Sequence, residues 1–257
     1  MDSLEASREF LKADMWELWD RLETDQRKGM PPPPPQKPCP TQGTLVDLVA
    51  PEAMAVGQLP LIEAIGRRRS RRRYAPQPLT LEELSFLLWA TQGLSTRPAE
   101  RGADLREAIG APRTVPSGGG RYPFETYLLV SRVEGLDPGL YRYLPLDHQL
   151  CFLRAQAELG DLVDDLWGWR RSLRESAVIF IWTAIPYRTV WRYGAIAPKI
   201  IALEAGHVCQ NLYLACEAVG CGTCAIVDYN QKLLDGVLSV DGAQEFVVYL
   251  APVGKVE

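Results

Sequence analysis

Six of the nine residues from Gly66 to Tyr74 are arginines, in a chain of 257 residues whose formal net charge is -4. A guanidinium is planar, permanently charged and able to grip a phosphate or carboxylate through two parallel hydrogen bonds. Ser70 adds a hydroxyl in the middle of the run. Taken alone, the stretch reads equally well as a phosphate loop and as a solvated basic turn. A second stretch changes that balance. Pro116-Ser-Gly-Gly-Gly-Arg-Tyr-Pro123 holds three consecutive glycines, which let a backbone approach a planar ring or a phosphate closely. Arginines beside such a loop point to one small anionic ligand.

Other chemistry is weaker. The two histidines are His148, in a turn and expected at the surface, and His207, inside an apolar stretch and expected to be buried. Neither comes with a nucleophile elbow, so hydrolysis is not supported. Cys209 and Cys216 are one heptad apart, and Cys221-Gly-Thr-Cys224 is a C-x-x-C. The first spacing is too long for a zinc ribbon, and small apolar core residues explain these cysteines better than a metal does. The C-x-x-C follows a helix, where a thioredoxin-like motif would open one. Gly220-x-Gly222-x-x-Ala225 matches a dinucleotide fingerprint in spacing only, because it leaves a helix and enters a strand.

The elements that must carry these residues follow from periodicity. From about Leu4 to Lys28, Leu11, Met15, Leu18 and Leu22 share one helix face, flanked by Trp16 and Trp19. Residues 1–30 thus read as a helical arm that packs on its own domain or on a second copy. Pro31–Pro35, Pro38 and Pro40 define residues 31–41 as an extended spacer. The body, residues 42–257, opens with a short helix over Leu59–Arg69, and Thr80-Leu-Glu-Glu83 is a capping box for a second helix. A mixed polar stretch runs from Leu94 to Thr114. Strands are expected at Glu125–Val133, Leu140–Leu144 and Leu150–Leu153, then a helix over Ala157–Leu173 and a buried strand at Ala177–Ala184. Lys199–Val219 reads as a central helix, apolar nearly all round. A strand at Gly222–Val227, a short helix capped by Asn230 and a last strand at Glu245–Val253 complete an α+β pattern. A pI near 5.4 argues against bulk nucleic-acid binding, and no apolar run reaches a membrane span. The scattered cysteines and the absence of a signal-like N-terminus read as reduced thiols in the cytoplasm.

Four blocks in order resemble the nitroreductase superfamily, in its SagB/ThcOx-type branch. They are Arg68-Arg-Ser-Arg-Arg-Arg-Tyr74, Pro116 to Glu125, Leu203-Glu-Ala-Gly-His-Val-Cys-Gln-Asn211, and Gly220-Cys-Gly-Thr223 through Tyr249-Leu-Ala-Pro-Val-Gly254. The resemblance implies an α+β nitroreductase-like fold, with a central, mostly antiparallel sheet flanked by helices. It also implies a homodimer with FMN at the interface, and hydride transfer through flavin N5 between NADH, NADPH or an organic donor and a small-molecule or peptide-derived substrate. By match, Arg68, Arg69, Ser70 and Arg72 would hold the phosphate and ribityl chain, with Lys255 as a further basic group. Pro116, Ser117, Gly118 and Gly119 would lie against the flavin, and Gly222, Thr223 and Ala225 would flank it from the other side. The branch's catalytic Lys-Tyr pair falls on Arg192-Tyr193 here, and an arginine cannot act as a base near neutral pH. The competing readings are a protein that keeps the fold without turnover and a metal-binding regulator built on the cysteines.

Overall fold

Seven strands form one sheet in the order β1-β4-β3-β2-β5-β7-β6, every neighbouring pair antiparallel. They are β1 (Thr44–Asp47), β2 (Phe124–Val130), β3 (Gly139–Leu144), β4 (Gln149–Ala155), β5 (Val178–Ala184), β6 (Cys221–Thr223) and β7 (Phe246–Lys255). The computed structural model describes residues 3–95, 111–155 and 171–257. Most of the expected helix over Ala157–Leu173 and most of the stretch from Leu94 to Thr114 lie outside these residues. β2 and β5 are buried at every position, and so their sequences read as continuous apolar runs rather than alternating ones. Helices cover both faces.

On one face lie α2 (Leu61–Arg67), α3 (Leu81–Gln92) and, across them, the long helix α6 (Ala197–Ala218). Thr80 and Glu83 form the expected capping box. Leu84, Leu87 and Leu88 of α3 are wholly buried, each worth about 1.5–3 kcal/mol relative to exposure. The other face carries α4 (Arg171–Glu175) and α7 (Gln231–Leu238), with Leu173, Leu234 and Leu238 packed on Tyr127, Ile179 and Leu250. α5 (Tyr187–Tyr193) follows β5 and leads into α6. This is an α+β arrangement, a central antiparallel sheet flanked by helices, as the resemblance implies.

α6 departs from an all-round apolar helix. Ile201, Val208, Leu212 and Ala215 face the core, whereas Ala202, Leu203, Gly206 and His207 are exposed. His207 is therefore a surface residue, not a buried one. His148 departs in the opposite direction. It is half-buried, with Nδ1 2.8 Å from the Tyr143 hydroxyl and Nε2 2.9 Å from the Val49 carbonyl. Burial pushes its pKa down from 6.5.

The N-terminal segment is α-helical only over Ser3–Leu11 (α1) and continues as a 3-10 turn over Asp14–Arg21. In a 3-10 turn residues i and i+3 eclipse, so Trp16 and Trp19 come together, their rings 5.4 Å apart. Leu11, Met15 and Leu18 are left exposed, while Trp19 and Leu22 pack on the core.

The proline run lies on the body. Proline carbonyls have no intrastrand partner and remain free to accept. Arg188 donates to the Pro34 carbonyl at 2.9 Å, Arg113 to Pro35 at 2.9 Å and Arg142 to Pro38 at 2.5 Å. Beneath them are two buried carboxylates. Glu125 pairs with Arg188 and accepts from the Lys37 amide at 3.0 Å. Glu245 accepts from Lys37 Nζ at 2.5 Å, Tyr127 at 3.1 Å and Thr183 at 2.7 Å. Charges buried this deeply are tolerable only when paired and hydrogen-bonded on every side. The crowding shows on Arg113, whose pKa falls to about 10 through burial and the neighbouring Arg188.

The thiols are not all reduced. Cys39 and Cys151 form a disulfide across 112 residues, while Cys209, Cys216, Cys221 and Cys224 are free and buried.

Candidate functional site: two half-sites on one helix

The arginine segment runs beside the sheet's β6 edge. Ser70 and Thr223 form a parallel bridge, and the Arg71 amide donates to the Thr223 carbonyl at 2.9 Å. Ala75 N–H closes the segment on the Lys255 carbonyl at 2.8 Å. Tyr213 of α6 ties the pieces together. Its hydroxyl lies 3.1 Å from Ser70 Oγ and accepts from the Ala225 amide at 2.9 Å, and Arg68 lies over its ring at 5.4 Å. Thus Arg68, Ser70, Thr223 and Ala225 converge.

The arginines then divide. Arg67 pairs with Glu63. Arg69 folds back on the Gly66 and Arg68 carbonyls, which takes it off the site. Arg71 is half-buried over Gly222, where an added Cβ would meet its Cβ and Cγ at 2.5 Å. Arg71 is therefore not the solvated residue its place in the run implies, and the bare face of Gly222 meets Arg71 and Val256. Arg72 and Arg73 are exposed and pair with no carboxylate among the described residues. With Ser70, Arg71, Tyr74 and Glu257 they line a cavity of about 520 Å³. Lys255 is not available to an anion: Glu83 and the Val219 carbonyl hold its ammonium group.

The glycine loop is held by a different residue of the same helix. Gly118 N–H donates to Glu204 Oε1 at 2.6 Å, and Ser117 Oγ accepts from Tyr122 N–H at 2.8 Å. Burial raises the pKa of Glu204, partly offset by the hydrogen bonds from Gly118 and Ser117. Gly119 adopts φ 59°, and a Cβ there would lie 2.6 Å from Arg192 Cδ and Nε and 2.9 Å from the Tyr193 hydroxyl. Arg192 and Tyr193 thus close on the glycine loop. Arg121, stacked 5.1 Å from the Trp191 ring, donates to the Gly119 carbonyl at 3.0 Å. Pro116 is exposed at the start of the loop.

Glu204 and Tyr213 are nine residues apart, about two and a half turns and 13.5 Å along the axis. They therefore point to opposite sides of α6, and each holds one motif. The residues the sequence nominates form two half-sites, not one pocket. Glu204, Tyr213 and Arg121 escape sequence reasoning. Glu204 does leave a trace, as a lone carboxylate between Ile200 and Cys209. Among the described residues no group of three or more His, Cys, Asp or Glu side chains could hold a metal, and no helix is long and apolar enough to cross a membrane.

A fold of this kind with these two motifs has a family. The model of the Nitroreductase family matches residues 65–255. A protein of Methanocaldococcus jannaschii named as a nitroreductase is 32% identical over 204 residues, 77% of this chain and 95% of the relative. The trifolitoxin-processing protein TfxB of Rhizobium leguminosarum bv. trifolii is 25% identical over 177 residues; the match covers 65% of this chain but only 44% of that protein's length. The crystal structure of a Ralstonia eutropha protein described as a nitroreductase superposes with a TM-score of 0.65 at 24% identity, covering 89% of this chain and 99% of that one. The chain belongs to the nitroreductase family.

Proposed function

We propose that the protein is an FMN-dependent oxidoreductase acting as a homodimer. The observation that carries this reading is the half-turn between Tyr213 and Glu204 on α6, which sets the arginine and glycine motifs back to back. One copy then completes another's site. The arginine half fits an anionic ligand: Arg68, Ser70 and Arg72 present donors with no carboxylate partner, and Thr223 Oγ1 and Arg71 Nε are buried without a hydrogen-bond partner. Arg68, Ser70 and Arg72 would hold the phosphate, and Thr223 and Ala225 would lie beside it. Ser117–Gly119 of the second copy would face the ring. Bound FMN supplies hydride transfer at its N5, with a nicotinamide or organic donor as reductant.

Apolar residues left on the surface support the second copy. α2 exposes Leu61, Ile62 and Ile65, and α6, which packs against it, exposes Leu203. Arg192 and Arg121 make the glycine half locally positive. Tyr193 would be the residue to donate a proton there, with the Arg192 guanidinium 5.5 Å from its ring centroid. The likeness to a toxin-processing protein keeps the SagB-type branch and a peptide-derived substrate in view, but oxidation of a peptide azoline does not follow without a base at position 192. The cytoplasm remains the proposed location; Cys151 is fully buried, so a cellular thiol reaches the disulfide only through Cys39.

Flavin uptake tests the reading. The purified protein should be yellow and should bleach with NADH or NADPH under argon. Arg68→Ala with Arg72→Ala should weaken FMN binding by about 100-fold, two charge-assisted contacts at 1.5 kcal/mol or more each, with unchanged circular dichroism. Colourless protein that refuses added FMN overturns the proposal in favour of a nitroreductase fold kept for binding alone.

A further inference from the structure

α5 has only seven residues, too few to hold a helix by its own hydrogen bonds. Its position is set by what packs on it. One side meets the glycine loop through Arg192 and Tyr193, and Arg188 reaches the Tyr122 carbonyl at 3.4 Å. The other side is wrapped by a segment that lies outside the family match. The Trp19 and Trp16 rings stand 5.6 and 6.0 Å from the Tyr193 ring. The Gln26 amide donates to the Trp191 carbonyl at 2.9 Å, and Arg192 Nη1 donates to Gln26 Oε1 at 3.2 Å. Trp191 Nε1 donates to the Met30 carbonyl at 3.0 Å, and the Tyr187 hydroxyl to Asp25 at 2.8 Å. Arg188 reaches Pro34, and beyond it Cys39 is bonded to Cys151 of β4.

We propose that residues 16–39 are a positioning strap for the glycine half-site: they fix α5, and through it Arg192 and Tyr193, against Ser117–Gly119, with the Cys39–Cys151 bond fastening the far end. The function given to that half-site rests on the reading above; the strap's grip on α5 does not. A spacer would leave α5 to find its own place. Here every turn of α5 has a partner in the strap, and the Gln26 side chain touches the same guanidinium that closes on Gly119. Gln26 is thus a positioning residue acting through Arg192, and Trp19 one acting through Tyr193.

The test is hydrogen exchange by mass spectrometry on the full chain, comparing Gln26→Ala and Trp19→Ala with the conservative Gln26→Glu and Trp19→Phe. The alanine variants should speed exchange by about tenfold across residues 187–193 and 116–122 while β2 and β5 keep their protection. The conservative variants, which retain an acceptor or a ring, should stay close to wild type. Acceleration confined to residues 16–39 overturns the proposal, as does equal acceleration in conservative and alanine variants. Acceleration throughout the sheet overturns it too, since the arm would then serve folding alone. FMN titration supplies a second readout: Gln26→Ala should weaken binding by about tenfold and Gln26→Glu by less than about twofold. Wild-type protein that takes up no FMN would sink the flavin reading and leave the exchange result to decide the strap.

Discussion

At the scale of the residue, Glu204 and Gly119 control the glycine half-site in different ways. A raised carboxyl pKa means that the folded chain keeps the Glu204 proton to a higher pH than the unfolded chain, whose ordinary value is 4.5. Between the two values the folded state carries the extra proton, so stability falls as pH rises through that window. Glu204→Gln keeps the acceptor for Gly118 but does not titrate. Urea unfolding at about pH 5 and about pH 8 should show wild type losing more stability over that interval than the glutamine variant. Gly119→Ala puts a side chain at φ 59° and against Arg192 and Tyr193. The strained backbone should cost about 1–3 kcal/mol, read as a lower urea midpoint, and the displaced pair should lower flavin affinity with it. Gly119 stands out in sequence within its run of three glycines, whereas Glu204 does not. A carboxylate inside a helix shows no partner until the fold brings Gly118 to it, 86 positions away.

At the scale of the element, what was legible is what local chemistry decides. The capping box at Thr80 and Glu83, the meander of β2, β3 and β4, the buried β5 and the long α6 all follow from periodicity and caps. Three features do not. α5 carries Arg188 and Arg192 among aromatics and shows no clear apolar stripe, because its partners contributed from elsewhere are a mixture of polar groups and the Trp16 and Trp19 rings. β1 is four residues long with mostly exposed side chains. The arm's apolar stripe predicts one long helix, and tertiary contact of two tryptophans with Tyr193 selects a 3-10 turn instead. The disulfide was out of reach as well, since no spacing rule pairs Cys39 with Cys151. It should now be measurable: Cys39→Ser, or incubation with a dithiol, should lower unfolding stability by about 2–4 kcal/mol, seen as a shifted urea midpoint.

At the scale of the whole molecule, the proposed pairing of two chains follows from the arginine and glycine motifs facing opposite sides of α6. Sedimentation should give a dimer. Ile62→Asp with Leu203→Asp places charge on two exposed apolar positions, Ile62 at 81% and Leu203 at 59% exposure. It should yield monomers that keep their secondary structure and lose flavin, the outcome expected if each site is completed by a second copy. A sedimenting dimer that persists in this variant would place the interface elsewhere. The proline strap carries a different consequence, concerning biosynthesis. Lys37 and its partner Glu245 are 208 residues apart, and a ribosome adds about 5–20 residues per second. The strap therefore emerges roughly ten to forty seconds before its last anchor exists. Five consecutive prolines suit that interval, because a polyproline stretch neither nucleates helix nor offers amide hydrogens to a stray strand. The proline run is made long before its last anchor, and it waits in a form with few amide hydrogens to pair wrongly.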